Sequence, residues 1–330
     1  MTDRLPDELR AALRDENVPD WRAPTLATLT DKPFSDPNWI FERKFDGERC
    51  LAFRDGAEVR LRSRKRQSLD GTYPELVEAL GAQATSRFVV DGEVVAFEGR
   101  RTSFARLQGR LGITDPEVAR ASKIAVYYYI FDLLHLDGRA TTELPLIWRK
   151  RLLRNAFEFE DPLRYTTHRA KNGEAAYRTA CERGDEGVIA KRADAPYEGR
   201  RSTSWLKLKC VRDQEFVIGG YTAPKGSRIG LGALLVGYHD GDDLVYAGKV
   251  GTGFDTATLR SLHKRMARLE QNESPFTRGH VREPGAKWLR PTLVAQVAFT
   301  EWTRDGKLRH PRYKGLRTDK DADEVVRETC

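Results

Sequence analysis

Two strand-like runs, Trp39-Ile40-Phe41 and Cys50-Leu51-Ala52-Phe53, flank the dipeptide Asp46-Gly47. This limits the chain to folds in which a tight turn joins two strands, because Asp-Gly tolerates the backbone angles such a turn demands. Lys44 stands two residues before the turn and Arg49 two residues beyond it. The spacing places Lys44 at a strand end, held near the turn rather than on a loose loop. An amine there can act as a covalent nucleophile once nearby cations or desolvation favour its neutral form. The ordinary alternative is a hairpin with an exposed lysine, and K-x-D-G alone does not separate the two.

The rest of the chain reads as many short strands with a few helices. After a short polar helix and a Pro-punctuated segment ending at Pro37, strands are expected at Trp39–Lys44, Arg49–Arg54 and Glu58–Arg62. Pro74 to Leu80 has helical spacing with proline at its start. Arg87 to Phe97 reads as a strand pair broken by a second turn, Asp91-Gly92. Phe104 to Leu111 reads as a helix and Lys123 to Leu134 as a buried strand. Leu146 to Phe157 is expected to be a basic amphipathic helix, and Gly173 to Arg183 another helix. Glu186–Lys191 and Ser204–Lys209 are expected strands. Beyond Val211 the texture changes to strands at Glu215–Tyr221, Ala233–Tyr238 and Leu244–Val250, a helix over 255–269, and a strand from Leu293 to Trp302. Such a set suits a small OB-type barrel. The boundary falls near Cys210–Asp213, giving domains 1–211 and 212–330; a chain of 330 residues is long for one core.

Charge narrows the partners. A net charge of +8 favours a polyanion, nucleic acid ahead of a membrane surface. Met1 to Arg10 lacks the apolar stretch of a secretion signal. The run Ile124 to Phe131 is too short to span a bilayer, so no membrane role is expected. Cys50, Cys181, Cys210 and Cys330 are scattered, with no CxxC pair and no disulfide framework, which fits a reducing cytoplasm. The six histidines are dispersed and suggest no zinc site.

Further stretches share the character of the Lys44 segment: Leu61-Arg62-Ser63-Arg64, Asp91-Gly92-Glu93, Tyr129-Ile130-Phe131-Asp132, Glu186 to Lys191, Trp205-Leu206-Lys207-Leu208-Lys209 and Arg317-Thr318-Asp319-Lys320. Singly each has an ordinary reading: solvated acids, a core phenylalanine, an exposed Lys-x-Lys strand face. Their joint order resembles the covalent nucleotidyltransferases, the superfamily of DNA ligases, RNA ligases and mRNA capping enzymes. Within it the chain is most similar to ATP-dependent DNA ligases of the small bacterial type. The ligase module of end-joining ligase D is nearest, particularly through Arg309-His310-Pro311-Arg312-Tyr313-Lys314-Gly315-Leu316-Arg317. The resemblance runs from about Pro24 to Val326.

It implies an α+β fold: an ATP-grasp-like nucleotidyltransferase domain of antiparallel sheets with flanking helices, then a C-terminal OB-fold barrel. It implies roles as well. Lys44 would attack the α-phosphorus of ATP, with Asp46, Lys207 and Lys209 completing the catalytic group. The two later lysines would disfavour a proton on Lys44 and stabilise charge on the phosphate. Glu93 and Glu186 would hold Mg²⁺ (or Mn²⁺) or meet the ribose. Glu42 would lie by the adenine, Phe131 would stack on it, and Arg49 would reach the ribose side. Arg64 and Arg201 would clamp phosphate, in ATP or at the 5′ end of a nick. Arg317, Asp319 and Lys320 would orient pyrophosphate from the second domain. Implied partners are nicked or broken duplex DNA, Ku, and separate polymerase or nuclease subunits, with the chain itself a monomer. The large N-terminal DNA-binding domain of archaeal and eukaryotic ligases has no counterpart here, so DNA affinity should depend steeply on salt.

Rival readings are an RNA ligase, a capping guanylyltransferase and a non-catalytic DNA-end adaptor. The capping family usually carries aspartate where Glu186 stands. An adaptor would have lost a motif lysine, and all are present. Labelling with radioactive ATP separates enzyme from adaptor.

Overall fold

A computed structural model describes residues 5–11, 13–210, 213–224 and 229–328. Cys330 and the boundary residues Val211 and Arg212 fall outside them. The chain divides into two compact units, a first ending at Cys210 and a second, Val211–Thr329.

In the first unit, strands β1 (Leu26–Leu29), β2 (Trp39–Lys44), β3 (Glu48–Asp55), β4 (Glu58–Ser63), β5 (Arg87–Glu98) and β6 (Val126–Leu136) are followed by β7 (Leu163–Tyr165), β8 (His168–Ala170), β9 (Gly187–Arg192) and β10 (Arg201–Lys209). Helix α1 (Pro74–Gly81) lies between β4 and β5, α2 (Leu146–Ala156) between β6 and β7, and α3 (Gly173–Arg183) before β9. They build two sheets. One has eight strands around the antiparallel run β6–β5–β3–β4; the other has five in the order β8–β2–β9–β10–β1.

Alternation along β3 explains why its sequence reads as almost continuously apolar. Cys50 and Ala52 point into one core cluster with Leu76, Phe88 and Tyr128, while Leu51 and Phe53 point into another with Phe131 and Trp205. A strand covered on both faces needs apolar residues at every position. The second sheet is covered on one face by α3, where Ala176 and Ala180 pack on Phe41, Val188, Ala190 and Leu208. Its other face carries the polar residues of the candidate site.

Three expectations need correction. Asp91-Gly92 is not a turn: β5 is one strand of 12 residues running through it. Gly92 serves a close approach instead, at a register shift against β6, where a β-carbon would sit 2.5 Å from the Tyr128 ring. Second, α2 does not present all its basic residues to water. Arg149 and Lys150 are buried, Arg149 on Asp132 at 2.7 Å and Lys150 on Glu42 at 2.5 Å. Charges can be buried this way because each has a partner; stripping one partner typically costs about 3–5 kcal/mol. Third, the cysteines do not all stand apart. Cys181 and Cys210 form a disulfide, because the fold brings their Cα atoms to 5.1 Å across 29 residues of sequence. Scattered spacing carries no signal of such tertiary proximity.

In the second unit, β11 (Asp213–Tyr221), β12 (Leu234–Asp240), β13 (Asp243–Val250), β14 (Lys287–Ala298), β15 (Arg312–Leu316) and the two-residue strand Glu270–Gln271 form a six-stranded sheet, with helix α4 (Thr256–Met266) beside it. The first unit answers to the expected nucleotidyltransferase domain, and this second unit to the expected OB-type domain. Its core gathers Phe216, Ile218, Leu234, Val236, Leu262, Met266, Val294 and Tyr313. Among the described residues no helix is long and apolar enough to cross a membrane.

Candidate active site

The free face of the second sheet is organised in rows by strand register. Lys44, Gly187 and Lys209 form one row, since Gly187 pairs with both lysines. Glu42, Ile189 and Lys207 form the next, and Ile40, Lys191 and Trp205 the third. Directly opposed residues in antiparallel strands share a face, so a two-residue period on each strand delivers Lys44, Lys207, Lys209 and Glu42 to one surface. Segments far apart in sequence meet through this register alone.

At the first row the Lys44 ammonium is bound by the Glu186 carboxylate. Both side chains are mostly buried, at 18% and 13% exposure. The chain turns after Lys44 and passes into the other sheet as β3, so Asp46-Gly47 links two sheets rather than closing a hairpin within one. The Asp46 carboxylate accepts from the Phe104 amide at 3.4 Å. Glu93 lies over Gly47, close enough that a β-carbon there would meet its Cγ at 2.9 Å. Glu93 and Glu186 therefore both reach the Lys44–Gly47 turn, one from each sheet.

The second and third rows hold a buried ionic network. Glu42 binds Lys150 at 2.5 Å and Lys191 at 2.6 Å, and all three are at most 2% exposed. Burial alone would raise the Glu42 pKa, but the two ammoniums outweigh it and hold the carboxyl below its usual range. Burial pulls Lys191 down to about 8, against the attraction of Glu42 and helped by the like charge of Lys150. The Lys191 ammonium sits 4.1 Å from the centre of the Phe131 ring and 3.9 Å from Trp205, a cation–π contact on two rings.

Arg49 comes from the facing sheet. It makes a bidentate pair with Asp91 at 2.5 Å, donates to the Thr25 carbonyl at 3.1 Å, and lies 4.8 Å over the Phe131 ring. The Tyr197 hydroxyl donates to the same Asp91 at 2.6 Å. Phe131 is thus buried and fixed among Arg49, Lys191 and Trp205. Arg64 follows β4 directly. Arg201 begins β10 and donates to the Ala27 carbonyl at 2.9 Å.

The structure brings together Lys44, Glu186, Lys207, Lys209 and Glu42 on one sheet face, with Arg49, Glu93 and Phe131 from the other. In the second unit Arg317 is held by Asp319 through two bonds of 2.8 and 2.7 Å, and Lys320 pairs with Glu215 at 3.2 Å. Burial would raise the Asp319 pKa, but Arg317 holds it low. Lys150 lies outside the motif stretches of the sequence, and Asp91, Lys191 and Trp205 lie inside them but carry no role there. Lys191 and Trp205 had a signal, since each lies two residues from a selected or paired position on its strand. Lys150 had none, as only the helix–sheet packing shows that it points inward.

No group of three or more His, Cys, Asp or Glu side chains gathers among the described residues. Glu93 and Glu186 fit a hard divalent cation that keeps water and phosphate ligands, rather than one caged by protein.

Comparison with known proteins places the chain. The family described as ATP dependent DNA ligase domain matches residues 24–209, and that described as ATP dependent DNA ligase C terminal region matches residues 227–320. The multifunctional non-homologous end joining protein LigD of Pseudomonas aeruginosa is 38% identical over 319 residues, covering 94% of this chain and 37% of that protein. LigD of Mycobacterium tuberculosis is 39% identical over 317 residues, covering 93% and 40%. The chain therefore spans about two fifths of the length of these relatives. A mycobacterial DNA ligase D solved with ATP and MES has a TM-score of 0.69 at 37% identity, covering 94% of this chain and 99% of that one. The two-unit fold and these likenesses agree: the chain belongs to the ATP-dependent DNA ligase family.

Proposed function

We propose that the chain seals 5′-phosphate/3′-hydroxyl breaks in duplex DNA by way of a lysyl-AMP on Lys44. The carrying observation is the row Lys44–Gly187–Lys209 with Glu186 on the Lys44 amine: a lysine fixed at a strand end, in a row with a second lysine and paired with the Glu186 carboxylate. The Lys44 nitrogen attacks the α-phosphorus of ATP, forming an N–P bond as the bond to pyrophosphate breaks. The 5′-phosphate of DNA then takes the AMP, and the 3′-hydroxyl displaces it to close the strand. Phe131 stacks on the adenine, Glu42 lies at its edge, and Arg49 faces the ribose. Lys207 and Lys209 offset charge on the α-phosphate, and Asp46 keeps the turn against Phe104. Arg64 and Arg201 bind phosphate, and Arg317, ordered by Asp319 beside Lys320, orients the pyrophosphate.

Glu93 and Glu186 would hold Mg²⁺ or Mn²⁺, which supplies charge neutralisation on the phosphates. We extend the reading to end joining with Ku and separate polymerase or nuclease subunits, in the cytoplasm of a bacterial or archaeal cell, by likeness to the end-joining relatives. Incubation with radiolabelled ATP, followed by sealing of a nicked duplex, a double-strand end and an RNA nick with and without Ku, tests it. Label without sealing of any DNA would contradict the DNA reading; no label would contradict the enzyme.

A further inference from the structure

The disulfide lies at a sensitive point. Tyr177 and Cys181, one helical turn apart on α3, meet consecutive residues at the end of β10: the Tyr177 hydroxyl donates to the Lys209 carbonyl at 3.1 Å, and Cys181 is bonded to Cys210. The Cys210 amide in turn donates to the Glu186 carbonyl at 3.0 Å. One covalent bond thus stands a single residue from Lys209 and one hydrogen bond from Glu186, whose carboxylate binds Lys44. Both cysteines are half-buried, within reach of a small thiol. Cys50, the other cysteine among the described residues, is buried, and burial pushes its thiol well up, so it does not compete.

We propose that Cys181–Cys210 is a thiol-exchange site that sets the order of the strand ends bearing Lys209 and Glu186, and so grades the attack by Lys44. The last clause rests on the function proposed above. A dithiol reductant attacks one sulfur through its thiolate and the S–S bond breaks. The other sulfur leaves as a thiolate and takes a proton, and the second thiol of the reductant resolves the mixed disulfide. The protein gains two electrons and two protons, and the dithiol is oxidised to its disulfide. The end of β10 then keeps the Tyr177 contact and its sheet hydrogen bonds but loses its covalent tie to α3. The adenine side begins one row away at Glu42 and lies two rows away at Lys191 and Trp205, beside Phe131, so it changes less.

The test compares the full chain treated with oxidised glutathione and with dithiothreitol. Peptide mapping should find Cys181 linked to Cys210 only in the oxidised sample. Amide exchange over 185–188 and 206–210 should quicken on reduction by about tenfold or more, with α1 unchanged. Adenylation should lose about threefold to tenfold in kcat with KM for ATP nearly constant. Cys181→Ser and Cys210→Ser should match the reduced protein and ignore dithiothreitol, while Cys330→Ser responds like the unsubstituted chain. Free thiols at both positions after oxidation, or exchange over those segments indifferent to reduction, would overturn the proposal. Exchange that responds in a protein that never adenylates would uphold the thiol site and sink the proposed function instead.

Discussion

Lys44 and Lys209 stand in register with the same residue, Gly187, from the two strands that flank it. Two strand spacings separate them, about 10 Å between backbones. At an effective dielectric of about 20, two positive charges at that distance repel by on the order of 1–2 kcal/mol. Glu186 opposes this repulsion through its ion pair with Lys44.

Gly187 is the pivot of that row, with φ at 149° and no room for a side chain: a β-carbon would lie 1.9 Å from the Leu208 carbonyl oxygen. Gly187→Ala is expected to destabilise the first unit by about 2–4 kcal/mol and to depress adenylation. Denaturant midpoints and single-turnover labelling measure both. Unchanged stability and labelling would mean that the row does not position the lysines.

Lys191 should leave a signature in the pH dependence of stability. Its folded pKa, about 8, lies below the ordinary lysine value of 10.5, so between these the unfolded chain binds the extra proton. Stability from this group therefore rises with pH across that window and is lowest below it, where the charged amine is buried. Lys191→Met should remove the rise, so its stability relative to the unsubstituted chain declines from neutral pH to pH about 10. Parallel stability curves for the two proteins would contradict the assignment.

How far the sequence carried the reading can be argued from single residues. Lys44, Glu186, Lys207 and Lys209 were legible because strand periodicity and turn chemistry act locally, and the order of the motifs resembles a known family. The OB-type strands were legible for the same reason. Asp91-Gly92 misled because the same dipeptide serves a turn or a close approach, and only the Tyr128 ring decides between them. Lys150 and the Cys181–Cys210 bond were hidden because both depend on helix-to-sheet packing between distant segments.

Steps of the reaction should separate by unit. Glu186→Ala and Lys207→Ala are expected to lose adenylation by about a hundredfold or more, as they touch or flank the reacting amine. Arg317→Ala should fail at adenylation yet seal pre-adenylated nicks at close to the normal rate. Single-turnover sealing of such nicks decides; an equal defect in both steps would rule out a leaving-group role for Arg317.

Basic residues after β4 should divide by role. Arg66 lies 5.2 Å over the Trp21 ring, on the way out of the Arg64–Arg66 run. Neutralising it, or Lys65, should weaken nicked and intact duplex alike and flatten the salt dependence by roughly one phosphate contact. Arg64→Ala should instead lower sealing, or selectivity for a 5′-phosphorylated nick, more than general affinity. Titrations at several salt concentrations would expose identical behaviour, which would reduce the run to a basic surface.

The most direct test of the account is the site of the covalent adenylate. Intact-mass measurement after incubation with ATP and Mg²⁺, followed by peptide mapping, should place one AMP on Lys44 and on no other residue. Lys44→Ala should keep the fold, with a lower denaturant midpoint because Glu186 loses its ion pair with Lys44, and carry none. An adduct on another lysine, or one retained by Lys44→Ala, would contradict the account at its centre.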